Sequence, residues 1–432
     1  MLQIILHHII VVQNCSGHDA FYIESNRFNG AILKGIKMFI SKRIFLCVNL
    51  ASAILCYSTV GYTSTTANIP NQNQDSDTKL TYKGEDAFPS NINKSSFNIE
   101  LLYIQPASNN LKYATFVSGT QPYFQSWHYQ EVKPSFHPAV ELGLIYAIRD
   151  SLYNVGAKWT YLDSNDSSSK QAATGTDLTT VEFVAPPYEM SPPVFGIKHV
   201  NSTANFKFNN LLLDIGKIVE YGSRLQARYY GGLDIFNLNQ TITTTFSDYA
   251  GSPATPYSYA LPPDPSYSFQ TQNVSKYLGA GPAVGMSFQY KMDSGFGFMG
   301  DVLGLLTAGV SSTQDNFTST SARLTSVGIG TSHQQITSPD DTQVVFGADA
   351  KLGVFYKYQG TKMPSFTIEA GYRIATYINA ISTISPNTLV QPGTVVVTPE
   401  FATGTMAIVS TNSKTGPFSF NGAFLNLKVD VA

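Results

Sequence analysis

The chain has 432 residues, of which 43% are hydrophobic but only 13% charged, well under the roughly 25% charged residues of soluble domains. Net charge is −2 with no basic or acidic run, which excludes a nucleic-acid surface. Beyond the N-terminal region no stretch of about 18 apolar residues occurs, which excludes helical membrane spans there. The 25 Tyr, 27 Phe and 33 Gly, with abundant Ser, Thr and Asn, favour strands joined by turns.

Residues 1–37 read as an over-extended start, because Met38 opens an export signal over 38–67. Lys42 and Arg43 precede an apolar run, Ile44 to Tyr57, and small residues up to Ala67 supply the cleavage site. Residues 68–96 are polar and read as a flexible periplasmic lead-in. Cys15, Cys47 and Cys56 all precede the cleavage point, so the mature chain has no disulfide, cysteine metal site or thiol nucleophile.

From Phe97 onward alternating apolar segments recur. Strands are expected near 97–105, 137–149, 152–162, 205–217, 223–238, 274–290, 296–310, 343–358, 364–378 and 420–431. Five long connections (106–136, 163–204, 239–273, 311–342 and 379–419) alternate with four short ones. Short periplasmic turns, long external loops and an even strand count describe a transmembrane antiparallel β-barrel. The fold class over 97–432 is therefore all-β, a barrel of about ten strands with five long external loops. Leu111–Val117 and Thr394–Thr398 are further candidates that would raise the count to twelve.

Alternation assigns the faces. Val140, Leu142, Leu144, Tyr146 and Ile148 form one apolar row, with Glu141, Gly143 and Arg149 interleaved. A membrane barrel turns the first row to lipid and the second to its lumen. Tyr153, Tyr290, Phe296, Tyr356, Tyr358 and Phe366 form an expected periplasmic aromatic girdle, and Trp159, Tyr161 and Tyr377 an outer one. The inward phase collects Glu141, Lys158, Arg224, Arg228, Asp349, Lys351, Glu369 and Arg373 as expected lumen-lining residues, together with Glu100, Asp214, Asp234 and Asp301. Such a set either lines an aqueous pore or fills a narrow barrel with mutually satisfied ion pairs.

Signatures of catalysis are missing: no HExxH, GxSxG, phosphate loop or dinucleotide fingerprint in context is present. His128, His137, His199 and His333 fall in or beside the long connections. His137, with Glu131 or Asp163 near it in sequence, is the one candidate for activating a water. No catalytic residue, metal site or cofactor is expected.

The stretches NIELLYIQPASNNLKYATFVSGTQPYFQSWHYQEVKPSFHPAVELGLIYAI from Asn98 and TTVEFVAPPYEMSPPVFGIKHVNSTANFKFNNLLLDIGK from Thr179 resemble the Legionella major outer membrane protein family. The resemblance runs to the C-terminus. It implies a porin-like, surface-displayed barrel in the outer membrane of a Gram-negative bacterium, contacting outer-membrane lipids, small solutes or ions, and the host-cell surface. Two departures stand out: the mature chain lacks the cysteines of cross-linked members, and it ends Val429-Asp-Val-Ala432 without a terminal aromatic. The expected function is a passive solute or ion channel or structural barrel; the alternative is a sealed adhesion or recognition barrel acting through its external loops.

Overall fold

The computed structural model describes residues 94–120, 124–149, 151–173, 180–187, 189–191, 197–249, 263–322, 332–358, 365–390 and 407–431. The expected start, export signal and most of the lead-in, and the candidate strand at Thr394–Thr398, lie outside the described residues. Fifteen strands follow in chain order: β1 (Ser95–Ser108), β2 (Lys112–Thr120), β3 (Phe124–Glu131), β4 (His137–Ala147), β5 (Tyr153–Gln171), β6 (Thr180–Ala185), β7 (Glu189–Ser191), β8 (Ile197–Tyr221), β9 (Leu225–Tyr249), β10 (Asp264–Lys291), β11 (Phe296–Thr320), β12 (Ser332–Thr337), β13 (Asp341–Tyr358), β14 (Ser365–Val390) and β15 (Ala407–Val431).

Ten of these close a ring in the order β1-β4-β5-β8-β9-β10-β11-β13-β14-β15. Every neighbouring pair is antiparallel, and β15 returns to β1 with Val431 opposite Ser95. The ladder between β15 and β1 runs unbroken from Ser95 to Ser108. Each of the ten expected strands falls on one of these. Of the two further candidates, Leu111–Val117 is mostly covered by β2, which pairs with β3 and β6 outside the ring.

Short connections link β4 to β5, β8 to β9, β10 to β11 and β13 to β14, all at one end. Gly222 and Gly295, with φ of 69° and 84°, occupy left-handed positions that only glycine adopts without strain in two of them. At the opposite end the structure corrects the expected loops. β8, β9, β11 and β15 each have 25 residues, β14 has 26 and β10 has 28, whereas about 9–11 residues cross a bilayer. Much of what reads as loop in sequence is strand. Its Ser, Thr and Asn residues lack outward apolar alternation, yet Thr suits a ladder, and the inward side chains still pack.

Alternation keeps the same parity along the wall, but the polarity of its two faces exchanges. Toward the short-turn end, large apolar residues point outward and are exposed, among them Leu101, Tyr146, Ile215, Leu352 and Ile374. Toward the far end the apolar residues are inside: Phe206, Phe208, Phe236, Phe246, Phe269, Phe317, Phe418 and Phe420 are fully buried. On β8 the change falls between Phe208, which faces in, and Leu211, which faces out. The barrel is thus inside-out where it carries its apolar belt and right-side-out beyond it. Tyr377, expected in the outer girdle, is only 1% exposed, because odd-numbered residues of that part of β14 share the inward face with Arg373 and Ala375.

Candidate functional site

The interior of the belt is the chemically richest part of the molecule. Alternation sends one residue in two inward, and the antiparallel register brings Glu100 of β1 directly opposite Glu141 of β4. Two like charges face to face are unfavourable, and cations from the far wall offset them. Lys351 Nζ lies 2.8 and 2.9 Å from the two Glu100 oxygens and 2.8 Å from Glu141. Arg373 Nη1 donates to Glu141 at 2.9 Å, while its Nε and Nη2 form a fork on Asp349 at 3.1 and 2.6 Å. Thr160 completes Glu141 with a 2.8 Å bond.

A second group lies beside the first. Lys158 reaches across to Asp301 at 2.9 Å, and the Tyr230 hydroxyl donates to the other oxygen of Asp301 at 2.6 Å. Arg228 donates to Asn154 at 2.6 Å and to Asp214, and its guanidinium lies over the Tyr230 ring. Glu369 accepts from Gln289 at 3.1 Å and from Asn426 at 2.8 Å. All ten barrel strands contribute to this set. The charged residues are almost all buried, so the geometry favours ions neutralised by each other and by hydrogen bonds rather than by water.

Seven of the eight residues read as lumen-lining lie in this network: Glu141, Lys158, Arg228, Asp349, Lys351, Glu369 and Arg373. Arg224 does not. It precedes β9, in the turn, where strand parity has no meaning. Its side chain is 51% exposed and pairs at 2.9 Å with Asp293 of the next turn. Gln289 and Asn426 were not singled out in the sequence, since neutral amides carry no signature beyond their inward phase.

One cavity of about 30 Å³ remains among these groups, lined by Glu141, Lys158, Asn210, Tyr230 and Asp301 among others; it has room for about two water molecules. Beyond it the aromatic tier begins. Phe208 stands 5.2 Å from Tyr377, 5.5 Å from Phe418 and 5.7 Å from Phe420, and Phe236 is 4.8 Å from Tyr277. These rings come from β8, β9, β10, β14 and β15 and meet across the lumen. Asn110, in the connection after β1, also reaches over to Gln240 of β9, with amide bonds of 2.6 and 2.8 Å.

His137 is partnered neither by Glu131 nor by Asp163 but by Asp166. His137 Nε2 lies 2.8 Å from Asp166 Oδ2, and Asp166 Oδ1 accepts from the Ser135 amide at 2.9 Å and its hydroxyl at 2.7 Å. A Ser-His-Asp relay needs the two imidazole nitrogens on different partners. Here Nε2 also faces Ser135 Oγ, at 3.3 Å, so the trio fastens the segment before β4 to the wall of β5.

The sequence matches the family model described as Legionella pneumophila major outer membrane protein precursor over residues 87–431. No curated protein matches. Among solved structures, similarity is found to the outer membrane protease OmpT of Escherichia coli (9% identity, TM-score 0.32, covering 78% of this chain and 97% of that one). It is also found to a Pseudomonas aeruginosa FadL homologue (9%, 0.25, 78% and 89%) and to the toluene transporter TodX of Pseudomonas putida (8%, 0.18, 78% and 90%). A closed ten-stranded ring with an outward apolar belt, in a chain matched to this family along four-fifths of its length, is a Gram-negative outer-membrane β-barrel; the protein belongs to the Legionella major outer membrane protein family.

Proposed function

We propose that this barrel is a sealed surface scaffold, which acts through what it presents outside the cell and passes no continuous column of water. The observation that carries this reading is the two-tier filling of the lumen. The lower tier pairs its charges with one another, and in the upper tier aromatic rings from five strands pack against each other across the lumen. A ten-stranded barrel is only modestly wider than an eight-stranded one, whose interior side chains just fill it. An open porin would instead need these ions hydrated and free to form a selectivity ring. Catalysis has no part in the reading.

The external end supplies the working surface. β3 carries Trp127 and Tyr129, which are 59% and 66% exposed, and Lys112 lies over the Tyr129 ring. Exposed aromatics beside polar groups suit recognition of another surface, including that of a host cell. Conductance of the refolded mature chain, residues 68–432, in planar bilayers tests the proposal. Protein shown to be folded should give no discrete current steps. Reproducible steps with a defined reversal potential would overturn it and restore the passive channel.

A further inference from the structure

Above the apolar belt the outward face of the sheet turns polar, and on β8 to β10 it turns cationic. Lys207 pairs in register with Asn239, and Asn239 with Lys276. Two lysines therefore stand on one face two strand spacings apart, roughly 10 Å. Lys207 lies 14 residues from the β8 end at Tyr221, and Lys276 lies 15 from the β10 end at Lys291. For strands tilted by about 40° both reach about 35 Å above the short turns, just past the roughly 25 Å apolar band.

Neither lysine is committed elsewhere. The contact from Lys207 to Asp163 is 3.7 Å, between side chains 54% and 41% exposed, and such a pair contributes little. Lys276 is exposed and has no ion-pair partner among the described residues. Trp159, exposed and stacked on Tyr161, marks the headgroup level on the adjacent strand. Beneath Lys276 come the exposed Leu278 and its partner Val310, and below these the surface is low: Ala280 and Ala308 are exposed cross-strand partners, and space is open over Gly304.

We propose that this sector binds a phosphorylated glycolipid of the outer leaflet, with phosphates at Lys207 and Lys276 and an acyl chain in the shallow trough below. Cations at that height meet phosphate, and the trough offers the chain contact that lone surface lysines lack. The inference does not depend on whether the lumen is sealed.

Native mass spectrometry of the folded mature protein in detergent tests it, with bisphosphorylated lipid A as the probe. One lipid should bind. Affinity should fall roughly fivefold for K207Q or K276Q alone and about 30-fold for both, while K133Q, at another exposed lysine, leaves it unchanged. Dephosphorylated lipid A should bind the native protein no better than the phosphorylated lipid binds the double variant. Millimolar inorganic phosphate and phosphatidylglycerol should not displace the lipid. Equal binding by the native protein and the double variant, an equal loss in K133Q, or displacement by either competitor would overturn the proposal. Both substituted side chains are exposed, so an unchanged thermal midpoint serves as the folding control.

Discussion

Lys351→Met is the sharpest probe of the ionic tier. The side chain is 8% exposed and bridges Glu100 and Glu141, which oppose each other across β1 and β4. Without it Glu141 keeps Arg373 at 2.9 Å and Thr160 at 2.8 Å. Glu100 keeps only a 3.7 Å approach from Arg373, and so becomes a buried, nearly unpaired carboxylate. Breaking a buried pair from one side costs about 3–5 kcal/mol. Replacing Glu100 by Gln in the same chain removes the stranded charge, and the double variant should recover at least about 2 kcal/mol of that loss, a coupling expected between direct neighbours. Equilibrium urea unfolding in lipid vesicles, followed by the fluorescence of lipid-facing Trp159, measures both numbers. A loss under about 1 kcal/mol, or strict additivity of the two substitutions, would refute the claim that these ions hold one another.

Other consequences follow from the faces and tiers. Leu352→Arg places a cation on the outward face, 66% exposed and near mid-belt, and should cost about 2–4 kcal/mol in the same unfolding assay, whereas Leu352→Phe should be close to neutral. Phe208→Ala should cost about 3–5 kcal/mol yet leave the bilayer silent, because the ionic tier below still fills the lumen; current steps would show that the rings alone make the seal. Asp315, above Val310 on β11, is buried without a cation nearby, and desolvation pushes its carboxyl up from 3.8 to about 7. The folded chain then holds a proton that the unfolded chain has released, so its contribution is full below about pH 4, declines as pH rises to about 7, and amounts to about 4 kcal/mol at most. Unfolding midpoints at pH 4.5 and 8 should separate more for the native protein than for Asp315→Asn, and parallel shifts would contradict the assignment.

The ten strands were legible because an apolar row at period two, cut by alternating short and long connections, leaves few other folds. The inward phase also gathered Glu141, Lys158, Lys351 and Arg373, which follow from parity alone. Their pairing does not. Lys351 and Glu100 are 251 residues apart in sequence, and only ring closure brings them together. Arg224 was misplaced by carrying parity one residue past the strand start. The upper half of the barrel escaped notice for another reason. In Asn205-Phe-Lys-Phe-Asn the apolar residues sit on even positions, whereas in Leu211-Leu-Leu-Asp-Ile215 the outward row is odd. Read as one strand with one solvent, that looks like noise; it is the point where the outer solvent changes from water to lipid.

The reversal of side-chain polarity along the wall also sets how deep the molecule rides. Moving the barrel outward would lift Leu278 and Val310 into water, and moving it inward would press Lys207 and Lys276 into hydrocarbon. Both directions are unfavourable, so the barrel sits in a vertical energy well. A bilayer that is too thick or too thin must bend to the protein rather than the protein to it. Folding yield across a series of lipid chain lengths should therefore show a single maximum. The same geometry holds the long external wall at a constant height above the cell, like a post with a collar.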